Sequence, residues 1–223
     1  MSQNALLDPT LAFRPVSRVE PRHVPYATAK RAMDLLGSGT LLLLLGPLFL
    51  LIAAAVRLTS RGPVFYRSTR VGLGGREFPF VKFRSMYVDA DRTLIYLDAL
   101  NEKDGPIFKI KSDPRITPLG RFLRKYSLDE LPQILSVFVG DMSLVGPRPP
   151  LPREVEQYDG FAMQRLSVKP GLTCYWQVMG RSDLDFQQWI ELDHRYLREM
   201  SLLTDVKLLL RTPTAVLRGR GAY

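Results

Sequence analysis

The sequence predicts an α+β fold held against one face of a membrane, and three observations predict it. Leu35 to Val56 is a run of 22 residues without a charge, interrupted near its middle by Gly46-Pro47. Val64-Phe65-Tyr66 and Phe78 to Phe83 then read as two short strands around Gly72-Leu73-Gly74-Gly75. Beyond Asp185, apolar residues fall at helical intervals with cations on the opposite side. The predicted architecture is a monotopic membrane protein: a re-entrant helix–break–helix hairpin, a small β-sheet and amphipathic helices lying on the membrane surface. Three segments follow: a flexible N-terminal arm over 1–25, the re-entrant membrane helix over 26–60, and a cytoplasmic domain over 61–223.

The 223 residues suffice for one domain with its own core. A balance of 31 basic against 22 acidic residues gives +9, which favours nucleic acid, an anionic membrane face or nucleotide phosphates as partners. The single cysteine, Cys174, excludes an internal disulfide framework and a cysteine-based zinc site. Only two histidines, His23 and His194, argue against a multi-histidine metal site. Met1 to about Pro25 is polar and aperiodic, and it shows no cleavage site after an apolar segment, so it reads as a mobile arm and not as a signal peptide.

The apolar block is long enough to span a bilayer, but two features argue for a hairpin. Proline at 47 removes a backbone donor and bends or breaks the helix. Both flanks are basic, with Lys30 and Arg31 before and Arg57, Arg61, Arg67 and Arg70 after, so both ends belong on the cytoplasmic side. Each half reaches roughly 15–18 Å, short of a core about 30 Å thick. A straight signal anchor is the alternative. A buried core helix fits poorly, because the block is apolar all round.

In the second strand Val81 and Phe83 share one face, and Lys82 and Arg84 the other, two cations positioned to grip a diphosphate. The Gly-rich turn leads into a strand, so it is a hairpin turn and not a phosphate-binding loop. Tyr87 to Leu100 reads as a helix, and Asn101 to Pro118 as a loop with a turn at Asp113-Pro114-Arg115. Val168 to Gly180 reads as a Pro-Gly turn and an aromatic strand. Asp185–Met200 and Leu202–Arg211 are helices, the second ended by Pro213.

The densest chemistry lies between Leu119 and Pro149, where Arg121, Arg124 and Lys125 precede the adjacent carboxylates Asp129 and Glu130, and Arg148 follows between two prolines. Ser127 to Glu130 has the form of a capping box, but that would set Pro132 inside the helix, where its missing N–H is needed. With Asp129 as the N-cap, Pro132 falls in the first turn and the carboxylate meets the positive end of the helix dipole. Adjacent carboxylates diverge, so they suit divided labour: one attacks phosphorus while the other ligates Mg²⁺. Lys82 and Arg148 would neutralise the transferring phosphoryl group, and Asp141 would orient one of these cations. A rival pair, Asp183 and Asp185, has the D-x-D spacing of metal-dependent glycosyltransferases, and Asp89-Ala90-Asp91 matches it too. His194 reads as a packed helix residue.

An ordered set of motifs carries a resemblance: the KR-x-x-D lead-in (Lys30 to Asp34), GPVFYR (Gly62 to Arg67), KFRSM (Lys82 to Met86), SLDELPQ (Ser127 to Gln133) and GDMSLVGPRP (Gly140 to Pro149). Together with PGLTCYWQVMGRSD (Pro170 to Asp183), they resemble the bacterial sugar transferases, or monotopic phosphoglycosyl transferases. The similarity is greatest to the short undecaprenyl-phosphate galactose or glucose phosphotransferases that begin exopolysaccharide or O-antigen assembly. The resemblance implies that Asp129 attacks the β-phosphate of a UDP-hexose, releases UMP, and passes the sugar phosphate to undecaprenyl phosphate at the cytoplasmic face of the inner membrane. Glu130 would hold Mg²⁺, and Lys82, Arg84 and Arg148 would contact phosphate and nucleotide. Three positions depart from the family pattern: Gly46 where Ser is common, Ser136 where Asn is usual, and Cys174 where Gly is usual.

Other functional classes remain as alternatives. A nucleic-acid module lacks any aromatic–basic signature, so no nucleic acid is expected as partner. A non-catalytic membrane scaffold would be indifferent to Asp129→Asn. A glycosyltransferase using Asp183 and Asp185 would release UDP. Galactose and glucose both stay open as the sugar, and a homodimer stays open as the assembly.

Overall fold

The computed structural model describes residues 24–90, 102, 105–106, 110, 112–180 and 184–219. Most of the expected arm, residues 91–100 of the helix expected from Tyr87 to Leu100 (Asp91 among them) and Asp183 lie outside the described residues. The described start of that expected helix, Val88 to Ala90, is a turn.

Helix α1, Val24–Thr59, runs without interruption through Gly46-Pro47, so the apolar block is one helix with Pro47 inside it and not two separate helices. Its first turns are fastened by the KR-x-x-D residues. Lys30 Nζ donates to Asp205 Oδ2 at 2.8 Å and to the Val145 carbonyl at 3.0 Å. Arg31 donates to the carbonyls of Val137 and Phe138, each at 2.8 Å. Asp34 Oδ1 accepts from Ser143 Oγ at 2.9 Å and from the Leu144 N–H at 2.8 Å. Hydrogen bonds to a charged acceptor contribute about 1.5–3 kcal/mol each, so this lead-in is an anchor. Farther along, Ile52 and Val56 are buried with Phe83 and Leu123. Both limbs therefore rest on the same folded body. Most of the apolar run is exposed on the folded body, unlike a core helix.

Strands β1 (Phe65–Val71) and β2 (Glu77–Phe83) form the expected antiparallel hairpin, with a short 3-10 turn at Leu73–Gly75. Helix α2, Pro118–Lys125, starts at Thr117, whose side chain accepts from the Gly120 N–H. Helix α3 is Gln133–Val139. Strands β3 (Ser143–Val145) and β4 (Gly171–Thr173) make a parallel pair that the sequence pattern did not announce. Their backbones approach so closely that a Cβ on Gly171 would sit 2.0 Å from the Gly146 nitrogen. Short helices α4 (Pro152–Val155) and α5 (Gly160–Met163) follow β3, and α6 (Tyr175–Met179) follows β4. Helices α7 (Phe186–Glu199) and α8 (Leu202–Arg218) complete the described fold.

Three local expectations change. The strand expected through Gly180 ends at Thr173, because Tyr175 and Trp176 are buried from a helical turn. Helix α8 continues past Pro213 to Arg218, and Thr212, just before the proline, is fixed by its hydroxyl to the Leu208 carbonyl and to Thr173. Asp129 is not an N-cap; it lies in a 3-10 turn, Leu128–Glu130, ahead of α3. Pro132 stands at the N-cap of α3, where the chain passes from 3-10 to α bonding and no N–H is required.

The main core joins Phe78 and Phe80 of β2 to Val137, Leu144, Val145, Tyr196 and Leu208. A second cluster sets Leu128 and Leu131, which flank the carboxylate pair, against Ile52, Val56 and Phe83. The turn that carries Asp129 and Glu130 is thereby packed directly on the apolar helix.

Candidate active site

Ser127 adopts a left-handed backbone with φ 52°, rare for a residue other than glycine. It reverses the chain just before the carboxylates. Leu128 and Leu131 then enter the apolar cluster on α1. Asp129 is 5% exposed, and among the described residues its carboxylate accepts no hydrogen bond. Glu130 is held firmly: Oε1 receives Lys82 Nζ at 2.6 Å and Arg148 Nη1 at 3.2 Å.

The two carboxyls are thus shifted in opposite directions. Burial raises Asp129 above the ordinary aspartate range, and the negative charge of Glu130 adds to the rise, while Lys82, Arg124 and Arg148 oppose it. Burial also works against the charge on Glu130, but Lys82 and Arg148 outweigh it and hold that carboxyl well below the usual range. Four cations (Lys82, Arg70, Arg124 and Arg148) act on these two carboxylates, an excess of two positive charges. Such a site is complementary to a phosphate or diphosphate.

Arg148 is set from behind. Its carbonyl accepts from Arg165 Nη2 at 3.0 Å, and Arg165 is ion-paired with buried Asp193 at 2.7 Å and bonded to Tyr158 Oη at 2.7 Å. The Arg148 guanidinium lies 5.8 Å from the centre of the Trp176 ring, which is itself stacked on Trp189. No local sequence pattern announces Arg165 or Asp193, because their partners come from distant segments.

Of the residues expected at the site, Asp129, Glu130, Lys82 and Arg148 come together, and Arg84 and Asp141 do not join them. Arg84 points to the end of α1, where it donates to the carbonyls of Ser60 and Arg61 and to Ser60 Oγ at 2.7–2.8 Å. Gly62, at φ 121°, makes room for it: a Cβ there would lie 2.0 Å from Arg84 Nη1. Asp141 follows the α3 C-cap, where its charge acts on Lys169 and not on Lys82 or Arg148. Gly46 and Pro47 lie inside α1. His194 is packed as expected, stacked on Phe161 and bonded to its carbonyl at 2.8 Å.

Asp185 of the rival D-x-D pair is a helix cap. Its side chain accepts from the Gln188 N–H at 2.7 Å, and the Asp185 N–H donates in return to Gln188 Oε1. Among the described residues no cluster of three or more His, Cys, Asp or Glu could hold a metal. Mg²⁺ does not demand one, since it is bound through one or two carboxylates and substrate phosphates. Glu130 fits that role, because its Oε2 carries no hydrogen bond from a described residue.

The family described as Bacterial sugar transferase matches residues 25–219. Galactosyl transferase CpsE of Streptococcus agalactiae is 45% identical over 87% of this chain and 43% of its own length. Exopolysaccharide production protein ExoY of Rhizobium meliloti is 42% identical over 87% of this chain and 88% of its own. The undecaprenyl-phosphate galactose phosphotransferase of Salmonella typhimurium is 43% identical, again over 87% of this chain, which spans 41% of that protein.

Proposed function

Because this chain belongs to the bacterial sugar transferase family, we propose that it transfers a hexose 1-phosphate from a UDP-sugar to undecaprenyl phosphate, releasing UMP, as the first membrane step of exopolysaccharide or O-antigen synthesis. The observation that carries this reading is the buried Asp129, without a described hydrogen bond, beside a Glu130 locked by Lys82 and Arg148. The printed names of its relatives support the substrate class: one is an undecaprenyl-phosphate galactose phosphotransferase and another a UDP-glucose:undecaprenyl-phosphate glucose-1-phosphate transferase.

In the first step an Asp129 carboxylate oxygen attacks the β-phosphorus. The new O–P bond forms as the phosphoanhydride bond breaks, and UMP leaves with the electron pair. In the second step a phosphate oxygen of undecaprenyl phosphate attacks the same phosphorus and frees the carboxylate. No general base is needed, since both nucleophiles are already anionic. Lys82 and Arg148 stabilise charge on the phosphoryl oxygens in place from the start. Glu130 orients these two cations and would hold Mg²⁺ through Oε2. Bound there, Mg²⁺ would neutralise phosphate charge as a Lewis acid.

The lipid acceptor requires a membrane-facing site. Leu36, Leu43, Leu50, Leu51 and Leu58 expose one side of α1, while the other side carries the apolar cluster that fixes the Asp129 turn. Both limbs of α1 rest on one folded body and both flanks are basic, which supports a re-entrant helix that enters and leaves on the cytoplasmic face of the inner membrane. Leu203, Val206, Leu210 and Leu217 of α8 are exposed as well and suit a helix lying in the interface.

Nucleotide release tests the reading. Detergent-purified protein with Mg²⁺, undecaprenyl phosphate and UDP-galactose or UDP-glucose should yield UMP with one of the two sugars. Release of UDP would instead indicate direct glycosyl transfer.

A further inference from the structure

Arg70, near the end of β1, stands in the same cationic group as Lys82. The Arg70 guanidinium carbon lies 5.0 Å from the centre of the Phe80 ring, and Lys82 Nζ lies 5.4 Å from that same ring. One aromatic side chain therefore fixes both cations. Arg70 Nη1 donates to the Pro149 carbonyl at 3.1 Å, the residue after Arg148. Among the described residues its buried Nε has no hydrogen-bond partner, and Arg70 makes no ion pair. Glu154 is the carboxylate that most favours its charge, but the Glu154 side chain is already bonded to the Leu151 N–H at 2.9 Å. Burial and the neighbouring Arg148 both work against the charge on Arg70 and lower its pKa to about 10.

An arginine held with unused donors next to another arginine is costly unless an anion completes it. A main-chain carbonyl alone would satisfy a neutral donor equally well. On the reading of the site given above, we propose that Arg70 is a further substrate-binding residue, whose guanidinium contacts a phosphate oxyanion beside Lys82 and Arg148. That oxyanion belongs either to the diphosphate of the sugar donor or to the phosphate of the lipid acceptor. The fork geometry of arginine suits it to two oxygens of one phosphate, which lysine cannot match.

The test is direct binding in an Asp129→Asn background, which prevents turnover. Affinity for UDP and for undecaprenyl phosphate in detergent is measured by titration calorimetry, with Arg70, Arg70→Lys and Arg70→Gln compared. The expected result is a loss of about tenfold or more in Arg70→Gln for one of the two ligands, a smaller loss in Arg70→Lys, and an apo melting temperature that stays close to the parent's. A loss confined to UDP assigns the contact to the donor, and one confined to undecaprenyl phosphate assigns it to the acceptor. Unchanged affinity for both ligands in a folded Arg70→Gln protein would overturn the inference. Should Arg70→Gln fail to fold, unchanged affinity in Arg70→Lys would overturn it in the same way. UMP release that persists in Asp129→Asn would overturn the underlying mechanism instead, so the two failures are distinguishable.

Discussion

Lys82 Nζ reaches Glu130 Oε1 at 2.6 Å, joining the end of β2 to the second of two adjacent carboxylates. Glu130 is thereby kept ionised and Lys82 kept in place, while Asp129 one residue earlier is left unbonded by the described residues. Replacing Lys82 removes a preorganised cation from the developing phosphoryl charge, a change worth about 100- to 1,000-fold in kcat. Lys82→Met should show that loss in UMP release.

Arg84 provides the contrast. Arg84→Ala leaves the carbonyls at the end of α1 without their donors, a cost of about 1–3 kcal/mol. Its melting temperature should fall while KM for the UDP-sugar stays within about twofold. A fall in kcat as large as that of Lys82→Met would contradict the position of Arg84.

Acid should silence the enzyme through Asp129. The nucleophile must be ionised, and burial raises its carboxyl above the ordinary aspartate range. The rate of UMP release should therefore decline on acidification from a pH above that range, with Glu130 still charged. Lys82→Met removes the cation that most opposes the rise, so the acid limb of its residual activity should move to higher pH. In stability terms the signs differ. Glu130, depressed on folding, adds stability above the unfolded glutamate value of about 4.3, and that contribution disappears as pH falls through its folded value. Asp129, raised on folding, works against the fold at neutral pH. A pH–rate profile checks the first prediction, and an acid melt of Glu130→Gln checks the second.

The contacts of Asp205 fasten the apolar helix to the body. Asp205 is fully buried and accepts from Lys30 at 2.8 Å, Tyr196 at 2.8 Å and Tyr26 at 3.1 Å. Breaking such a buried pair by removing one partner costs about 3–5 kcal/mol. Asp205→Asn should lower Tm by roughly 6–20 °C for a chain of this size. An unchanged melt in detergent would refute the anchor.

Sequence periodicity made the strand pair readable, and the apolar run and the adjacent carboxylates were visible as local features, but the break expected at Pro47 and the N-cap expected at Asp129 were not what the chain forms. Lys82 was legible for the same reason as the strand pair. Arg84 was not, since β2 ends at Phe83 and alternation no longer governs where its side chain goes. Lys30 and Asp34 are four apart on one helical face, yet their flank position reads first as a membrane signal, and their partners Asp205 and Ser143 are more than 100 residues away. Arg70, Arg165 and Asp193 gain their meaning only when β1, the segment after β3, the 3-10 turn Gln164–Ser167 and α7 are brought together.

Positioning of Arg148 through its carbonyl gives a further prediction. Arg165→Lys keeps the charge opposite Asp193 but loses the fork that also reaches Tyr158 and Arg148. It should lower kcat/KM about tenfold, whereas Tyr158→Phe should stay within about twofold. Equal effects would reduce Arg165 to a packing role.

The central claim is a covalent sugar phosphate on Asp129, and intact-mass measurement tests it most directly. Protein incubated with its UDP-sugar and no lipid acceptor should gain the mass of one hexose phosphate less one water, located to the peptide containing Asp129. Asp129→Asn should gain nothing, and undecaprenyl phosphate should discharge the adduct. An unmodified protein that releases UMP only once the acceptor is added would contradict the account and favour direct transfer between the two substrates.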